Sequence, residues 1–208
     1  KTWDCTRLTS PKKLPDSFFV LDFPKGQDFY DLDEHKVVGA LDRKPAVKAG
    51  TVAPPLAGAM WLDGQDRSLE EFRGRVVVID FWGLWCSACR TSIPALMEVQ
   101  EHYRDQPVTF IAIHTAETFP KELANRIREF AGDQNWQFLQ AIDSGTASHN
   151  SAIANAFGVS GYPTEIVIGP DGRVTFNSNE PPMELEDIIG KACDEVTPEE
   201  ELRMQTYM

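Results

Sequence analysis

The passage that most constrains this chain is Val76-Val77-Val78-Ile79-Asp80-Phe81, apolar but for Asp80, running through Trp82-Gly83-Leu84-Trp85 into Cys86-Ser87-Ala88-Cys89. A near-continuous apolar run of this length reads as a strand covered on both faces, which implies a sheet with helices packed against it. After Cys89 the apolar positions Ile93, Leu96, Met97 and Tyr103 recur at helical spacing, so the two cysteines fall at the start of a helix. Unpaired N–H groups and the helix dipole favour an anion at that end, and a thiolate there has a lowered pKa. Two thiols separated by two residues at such a position make a reversible redox couple. Cys86 is the expected attacking nucleophile, delivered to an exposed domain edge by Gly83-Leu84-Trp85. Cys89, one helical turn on, is expected to resolve the mixed disulfide and close the Cys86–Cys89 bond. A zinc half-site is the rival reading, but tetrahedral zinc needs four ligands, and the sequence holds neither a second Cys-x-x-Cys nor a His-x-x-x-His.

Further residues fall into register around this pair. Asp80 lies six residues before Cys86, Trp85 immediately before it and Pro94 eight after it, and Gly161-Tyr162-Pro163-Thr164 comes late in the chain. This constellation resembles the thioredoxin-fold oxidoreductases. The approach Ala53-Pro54-Pro55-Leu56, Leu62-Asp63-Gly64 and Leu69-Glu70-Glu71-Phe72-Arg73-Gly74-Arg75 is similar to their TlpA/ResA branch, over roughly residues 51–190. The resemblance implies an α/β, thioredoxin-like fold: a central mixed β-sheet flanked by helices, with a helix–strand insertion and an N-terminal extension. It implies exchange of electrons with protein cysteines, an extracytoplasmic location and no cofactor. It implies that Asp80 accepts or returns the Cys89 proton, and burial of a carboxylate raises its pKa towards the useful range. It also implies a cis Pro163 beside the redox pair, with Trp85, Tyr162 and Pro163 meeting the substrate and the backbone of residue 162 pairing with an extended segment.

The organisation expected from the pattern is an extension over 1–50, a thioredoxin-like domain over 51–196 and an acidic tail over 197–208. Within the extension, Val37 to Leu41 suggests a short strand, and the aromatics Phe18, Phe19, Phe23, Phe29 and Tyr30 argue against full disorder. Ala57 to Leu62 reads as a strand ending in a hairpin-type turn at Asp63-Gly64. Strands over 75–82, 108–114 and 138–142 alternate with helices from Cys86, over 120–132 and over 149–157. A hairpin joins Glu165–Ile168 to Arg173–Phe176 through Gly169-Pro170-Asp171-Gly172, and a helix over 183–196, opened by Pro181-Pro182, closes the domain.

Composition narrows the partners. A net charge of −12 makes nucleic acid and anionic membranes poor ones. No apolar run approaches the roughly 18–20 residues that span a bilayer. The chain opens at Lys1 rather than Met, and the simplest reading is a processed or truncated form, with which a lost signal or anchor is compatible. The expected partners are cysteine-containing protein substrates and an upstream redox partner. Cys5 and Cys193, left over from the redox pair, either form a structural bridge or leave Cys193 as a small buried hydrophobe on the stripe Leu185, Ile188, Ile189, Ala192 and Val196. Arg90 is either a solvated charge or a partner of the thiolate, Trp82 either rim or core. His114, at a strand end, reads as a hydrogen-bonded structural residue rather than a redox group. Two other functions fit parts of the pattern. A thiol peroxidase would need a Pro-x-x-x-Thr-x-x-Cys pattern, and neither Pro nor Thr stands at the matching positions before Cys86. A non-catalytic module could dock a partner or bind Cu(I) on two soft thiolates, although no methionine or histidine cluster accompanies them.

Overall fold

The computed structural model describes residues 46–115, 120–143, 151–178 and 185–196, and the backbone of two short strands before them. Those strands, β1 (Phe29–Asp31) and β2 (Lys36–Val38), pair antiparallel with Tyr30 opposite Val37. They belong to one compact unit, Lys1–Asp42, and all other described elements to a second, Arg43–Met208. Of the strand expected at Val37–Leu41, Val37 and Val38 are described as strand, and Gly39–Leu41 lie outside the described residues.

The second unit runs β3 (Met60–Trp61), a 3₁₀ turn (Leu69–Phe72), β4 (Val76–Trp82), α1 (Ser87–His102), β5 (Val108–Thr115), α2 (Pro120–Asp133), β6 (Leu139–Asp143), α3 (Ala152–Ala156), β7 (Thr164–Ile168), β8 (Val174–Asn177) and α4 (Leu185–Cys193). The strands form one mixed sheet in the order β3-β6-β5-β4-β7-β8. β4 lies parallel to β5 and antiparallel to β7, and every one of its seven residues is buried. That is why its sequence is apolar on both parities. Val76, Val78 and Trp82 point into one core with Cys89, Ile93 and Leu96 of α1, Leu123 and Ile127 of α2, and Ile188 and Ile189 of α4. Val77, Ile79 and Phe81 point into a second core with Leu56, Ile153 of α3 and Phe157.

Four expectations need correction. The strand foreseen over Ala57–Leu62 is only Met60–Trp61, and its partner is the distant β6, with Met60 opposite Ile142. Asp63-Gly64 does not close a hairpin. The Asp63 carboxylate instead accepts hydrogen bonds from the Gln65 N–H (3.1 Å) and the Arg67 guanidinium (2.5 Å), curling the chain towards the 3₁₀ turn. The described part of the helix foreseen over 149–157 is Ala152–Ala156, and that of the helix over 183–196 is Leu185–Cys193. Residues 144–150, Pro181-Pro182 and the tail 197–208 lie outside the described residues.

Candidate active site

β4 ends at Trp82, and three residues carry the chain to the first cysteine. A Cβ at Gly83 would stand 2.5 Å from the Trp85 indole nitrogen, so a larger residue here would displace the Trp85 ring from its present place. The loop is a tight turn in which the Cys86 N–H donates to the Gly83 carbonyl at 3.0 Å. Its outward donor, the Leu84 N–H, is taken by Nε2 of His114 at 2.8 Å. Nδ1 of the same ring lies 2.5 Å from the Thr115 carbonyl. A carbonyl only accepts, so Nδ1 carries the hydrogen and Nε2 presents its lone pair to the loop. Burial pushes the His114 pKa down to about 4, more than the Thr115 hydrogen bond raises it, so the ring is neutral. It packs edge-on against Trp82, with ring centroids 4.9 Å apart. Trp82 is fully buried against Phe130 and Trp136, which settles it as core rather than rim.

Cys86 is the N-cap of α1, and its Sγ accepts the Cys89 N–H at 3.1 Å. The two sulfurs are joined at 2.07 Å, so the molecule is seen in its oxidised state. Cys86 is only 7% exposed, which corrects the expectation of an open nucleophile, and Cys89 is fully covered. The exposed members of the motif are Trp85, Ser87 and Ala88. Trp85 is 51% exposed, with its ring edge-on to Tyr162 at 5.3 Å. The Tyr162–Pro163 bond is cis. Pro94 sits on the exposed side of α1, which continues through it to His102. Arg90 is exposed, and its backbone N–H donates to the Cys86 carbonyl.

Asp80 is 1% exposed and shares its parity on β4 with Val78 and Trp82, so its side chain lies on the sheet face that α1 covers with Cys89. Neither of its carboxylate oxygens has a hydrogen-bond partner among the described residues. Burial first, and the charge of Glu165 second, push its pKa well above the ordinary 3.8. This carboxyl therefore holds a proton at pH values where surface aspartates have lost theirs, as a proton-transfer group needs.

The sequence reading did not assign Glu165, and it read His114 as a hydrogen-bonded structural residue without naming its partner, the Leu84 N–H. Glu165 is directly opposite Asp80 across β4 and β7, and His114 is directly opposite Trp82 across β4 and β5. The available signal was a charged or polar side chain in an otherwise apolar strand, but its meaning depends on which strands pair. Cys193 lies apart from this group, half-buried with a free thiol whose pKa burial raises to about 11. Its suggested partner Cys5 lies outside the described residues. No cluster of three metal-ligating side chains occurs among the described residues.

Comparison with known proteins adds sequence and fold. The family model described as Redoxin matches residues 48–189. The thiol-disulfide oxidoreductase ResA of Geobacillus thermodenitrificans is 31% identical over 131 residues, 63% of this chain and 69% of its own length. The thioredoxin-like protein YneN of Bacillus subtilis is 28% identical over 149 residues, 72% of this chain and 78% of its own. In fold, the chain is similar to a thiol:disulfide interchange protein of the thioredoxin family from Chlorobium tepidum, with a TM-score of 0.55 at 22% identity over 73% of this chain and 99% of that one. It is also similar to the thioredoxin domain of a thiol-disulfide oxidoreductase from Bacteroides vulgatus, with a TM-score of 0.56 at 20% identity over 73% of this chain and all of that one.

Proposed function

The chain belongs to the redoxin family, in its TlpA/ResA-like branch, and from that premise we propose how its residues divide the work of a thiol–disulfide oxidoreductase. The enzyme exchanges electrons with cysteine-containing proteins through Cys86 and Cys89. In the reduced enzyme, the Cys86 thiolate is stabilised at the N-terminus of α1, where its sulfur already accepts the Cys89 N–H. It attacks one sulfur of a substrate disulfide and releases the other as a thiolate. Cys89 then gives up its proton to Asp80 and attacks Cys86, freeing the second substrate sulfur and forming the bond seen in the structure. Run backwards, the same steps oxidise a substrate dithiol. An upstream dithiol or disulfide partner resets the pair.

Substrate meets the edge formed by Trp85, Tyr162 and Pro163. Trp85 is exposed immediately beside the nucleophile, where a large aromatic surface offers burial to an unfolded segment. Among the described residues no helix is long and apolar enough to cross a membrane. We place the enzyme outside the cytoplasm, in keeping with its branch of the family.

The observation that carries this reading is the Cys86–Cys89 bond at the cap of α1, beside that exposed aromatic edge. Reduction of insulin by dithiothreitol tests it. Cys86→Ser is expected to bring the rate down to that of dithiothreitol alone, and Cys89→Ser to accumulate a mixed disulfide with insulin. Full activity in Cys86→Ser would sink the reading.

A further inference from the structure

Asp80 is buried at the centre of the sheet, so a proton it takes from Cys89 needs a way out. Its neighbour across β7 supplies one. The backbone N–H of Glu165 donates to the Ser178 hydroxyl at 3.0 Å, and its carbonyl accepts the Ser178 N–H at 2.9 Å. Both backbone groups of Glu165 thus turn towards the β8 side and away from β4. Directly opposite residues of an antiparallel pair whose backbones turn away from each other form the close, non-hydrogen-bonded kind of pair, with Cα atoms about 4.5 Å apart and side chains on one face. Asp80 and Glu165 are such a pair. They differ in exposure: Asp80 is fully covered, whereas Glu165 is half-buried and reaches solvent.

We infer that Glu165 is the outer member of a two-carboxylate proton relay whose inner member is Asp80. The inference rests on the reading in which Asp80 takes the Cys89 proton. The proton passes from the Cys89 thiol to the Asp80 carboxylate, leaving a Cys89 thiolate that attacks Cys86. It then passes from the Asp80 carboxyl to the Glu165 carboxylate, and from Glu165 to water. Each carboxyl returns to its starting charge, and the order reverses when Cys89 is reprotonated.

The surroundings of Asp80 leave this role to Glu165. α4 faces the sheet with Ile188, Ile189 and Ala192, keeping Glu186, Asp187 and Lys191 exposed and Cys193 half-buried. On α1 the groups nearest in sequence to the redox pair are Ser92 and the exposed Arg90. β5 places Ala112 opposite Asp80 and the neutral His114 two residues on, and Asn177 and Ser178 lie beyond β7. Among the described residues, Glu165 is the one whose charge acts on Asp80.

The test compares the 208-residue chain with Glu165→Gln, Glu165→Asp, Asp80→Asn and the double variant Asp80→Asn/Glu165→Gln. Two quantities are followed against pH: the ¹³C shift of the Asp80 carboxyl, and the rate at which the reduced pair closes on oxidised glutathione. Glu165→Gln removes the neighbouring charge without changing shape. It is expected to lower the Asp80 midpoint, to move the inflection of the rate profile with it and to slow closure several-fold at neutral pH. Glu165→Asp, which keeps the charge, is expected to hold the midpoint. On the Asp80→Asn background Glu165→Gln is expected to change nothing further. An Asp80 midpoint indifferent to Glu165→Gln, or an equal loss of rate with and without Asp80, overturns the relay. An inflection that survives Asp80→Asn overturns the Asp80 step itself, and the relay with it, while leaving the Cys86–Cys89 chemistry intact.

Discussion

At the scale of single residues, the molecule keeps a carboxyl where a hydrophobic side chain would be more stable. Asp80 is fully covered and has no hydrogen-bond partner among the described residues. Its folded pKa stands above the unfolded value of 3.8, so between those two values the folded chain binds the extra proton. Below pH 3.8 both states are protonated and the residue costs nothing on this account. As pH rises through the folded pKa the chain must either bury a charge or hold a proton against the solution, and stability is lost. Asp80→Asn removes that dependence. Its stability relative to the native chain is expected to be least favourable near pH 4 and to improve as pH rises, by about 1.4 kcal/mol for each unit by which folding raises the Asp80 pKa. Urea unfolding at pH 4 and pH 8 checks this, and a pH-independent difference would mean that Asp80 titrates alike in the folded and unfolded chain. A sequence reader can find Asp80 because a carboxylate in an apolar strand is conspicuous. Glu165 has the same signature at the end of another strand, but only the pairing of β4 with β7 gives it a partner.

At the scale of elements, the active-site loop is held by a strand that is not its neighbour in sequence. β4, α1, β5, α2 and the β7–β8 hairpin are legible because their apolar periods are long and uninterrupted. β3 is two residues long, and its partner β6 is some eighty residues away, so no local pattern specifies it. The sequence marks His114 as a hydrogen-bonded residue at a strand end, but its partner is hidden for the same reason. In sequence His114 is a polar residue near the end of β5, and its hydrogen bond to the Leu84 N–H exists only because β5 lies beside β4. His114→Leu is expected to leave that donor unpaired, at a cost of about 1–3 kcal/mol, and to slow disulfide exchange by loosening the turn that aims Cys86. His114→Gln, whose amide oxygen can reach the same donor, is expected to restore much of both. The native histidine carries a pH dependence of the opposite sign to that of Asp80. Its folded pKa of about 4 lies below the ordinary 6.5, so its contribution is complete above pH 6.5 and is lost as pH falls through 4. Thermal melts from pH 7 to pH 4 are expected to show the native chain losing stability to His114→Gln over that window. Parallel curves would remove the histidine from this role.

At the scale of the whole molecule, the thioredoxin-like domain gains part of its cover from the chain that leads into it. The family match begins at residue 48, and among the described residues the hydrogen bonds begin at Val47, whose N–H donates to the Phe157 carbonyl and whose carbonyl accepts from the Asn177 side chain. Gly50 and Thr51 bond to the two sides of Val174, Ala53 donates to Gly172, and the Arg173 guanidinium returns to the Gly50 carbonyl. Leu56 follows, buried in the second core. Pro45 and Gly50 read in the sequence as marking a boundary at 50/51, since turn residues mark chain direction but not what the turning backbone is bonded to. A chain beginning at Arg43 keeps all these bonds, and one beginning at Pro54 loses them. Each contributes about 1 kcal/mol net, so the shorter chain is expected to be less stable by about 3 kcal/mol or more, with its urea midpoint lowered in proportion. Because none of these residues lies in the redox loop, the reduction potential of the Cys86–Cys89 pair is expected to be the same in both. Equal urea midpoints would make residues 43–53 a passenger, and a changed potential would tie this segment to the active site through the second core.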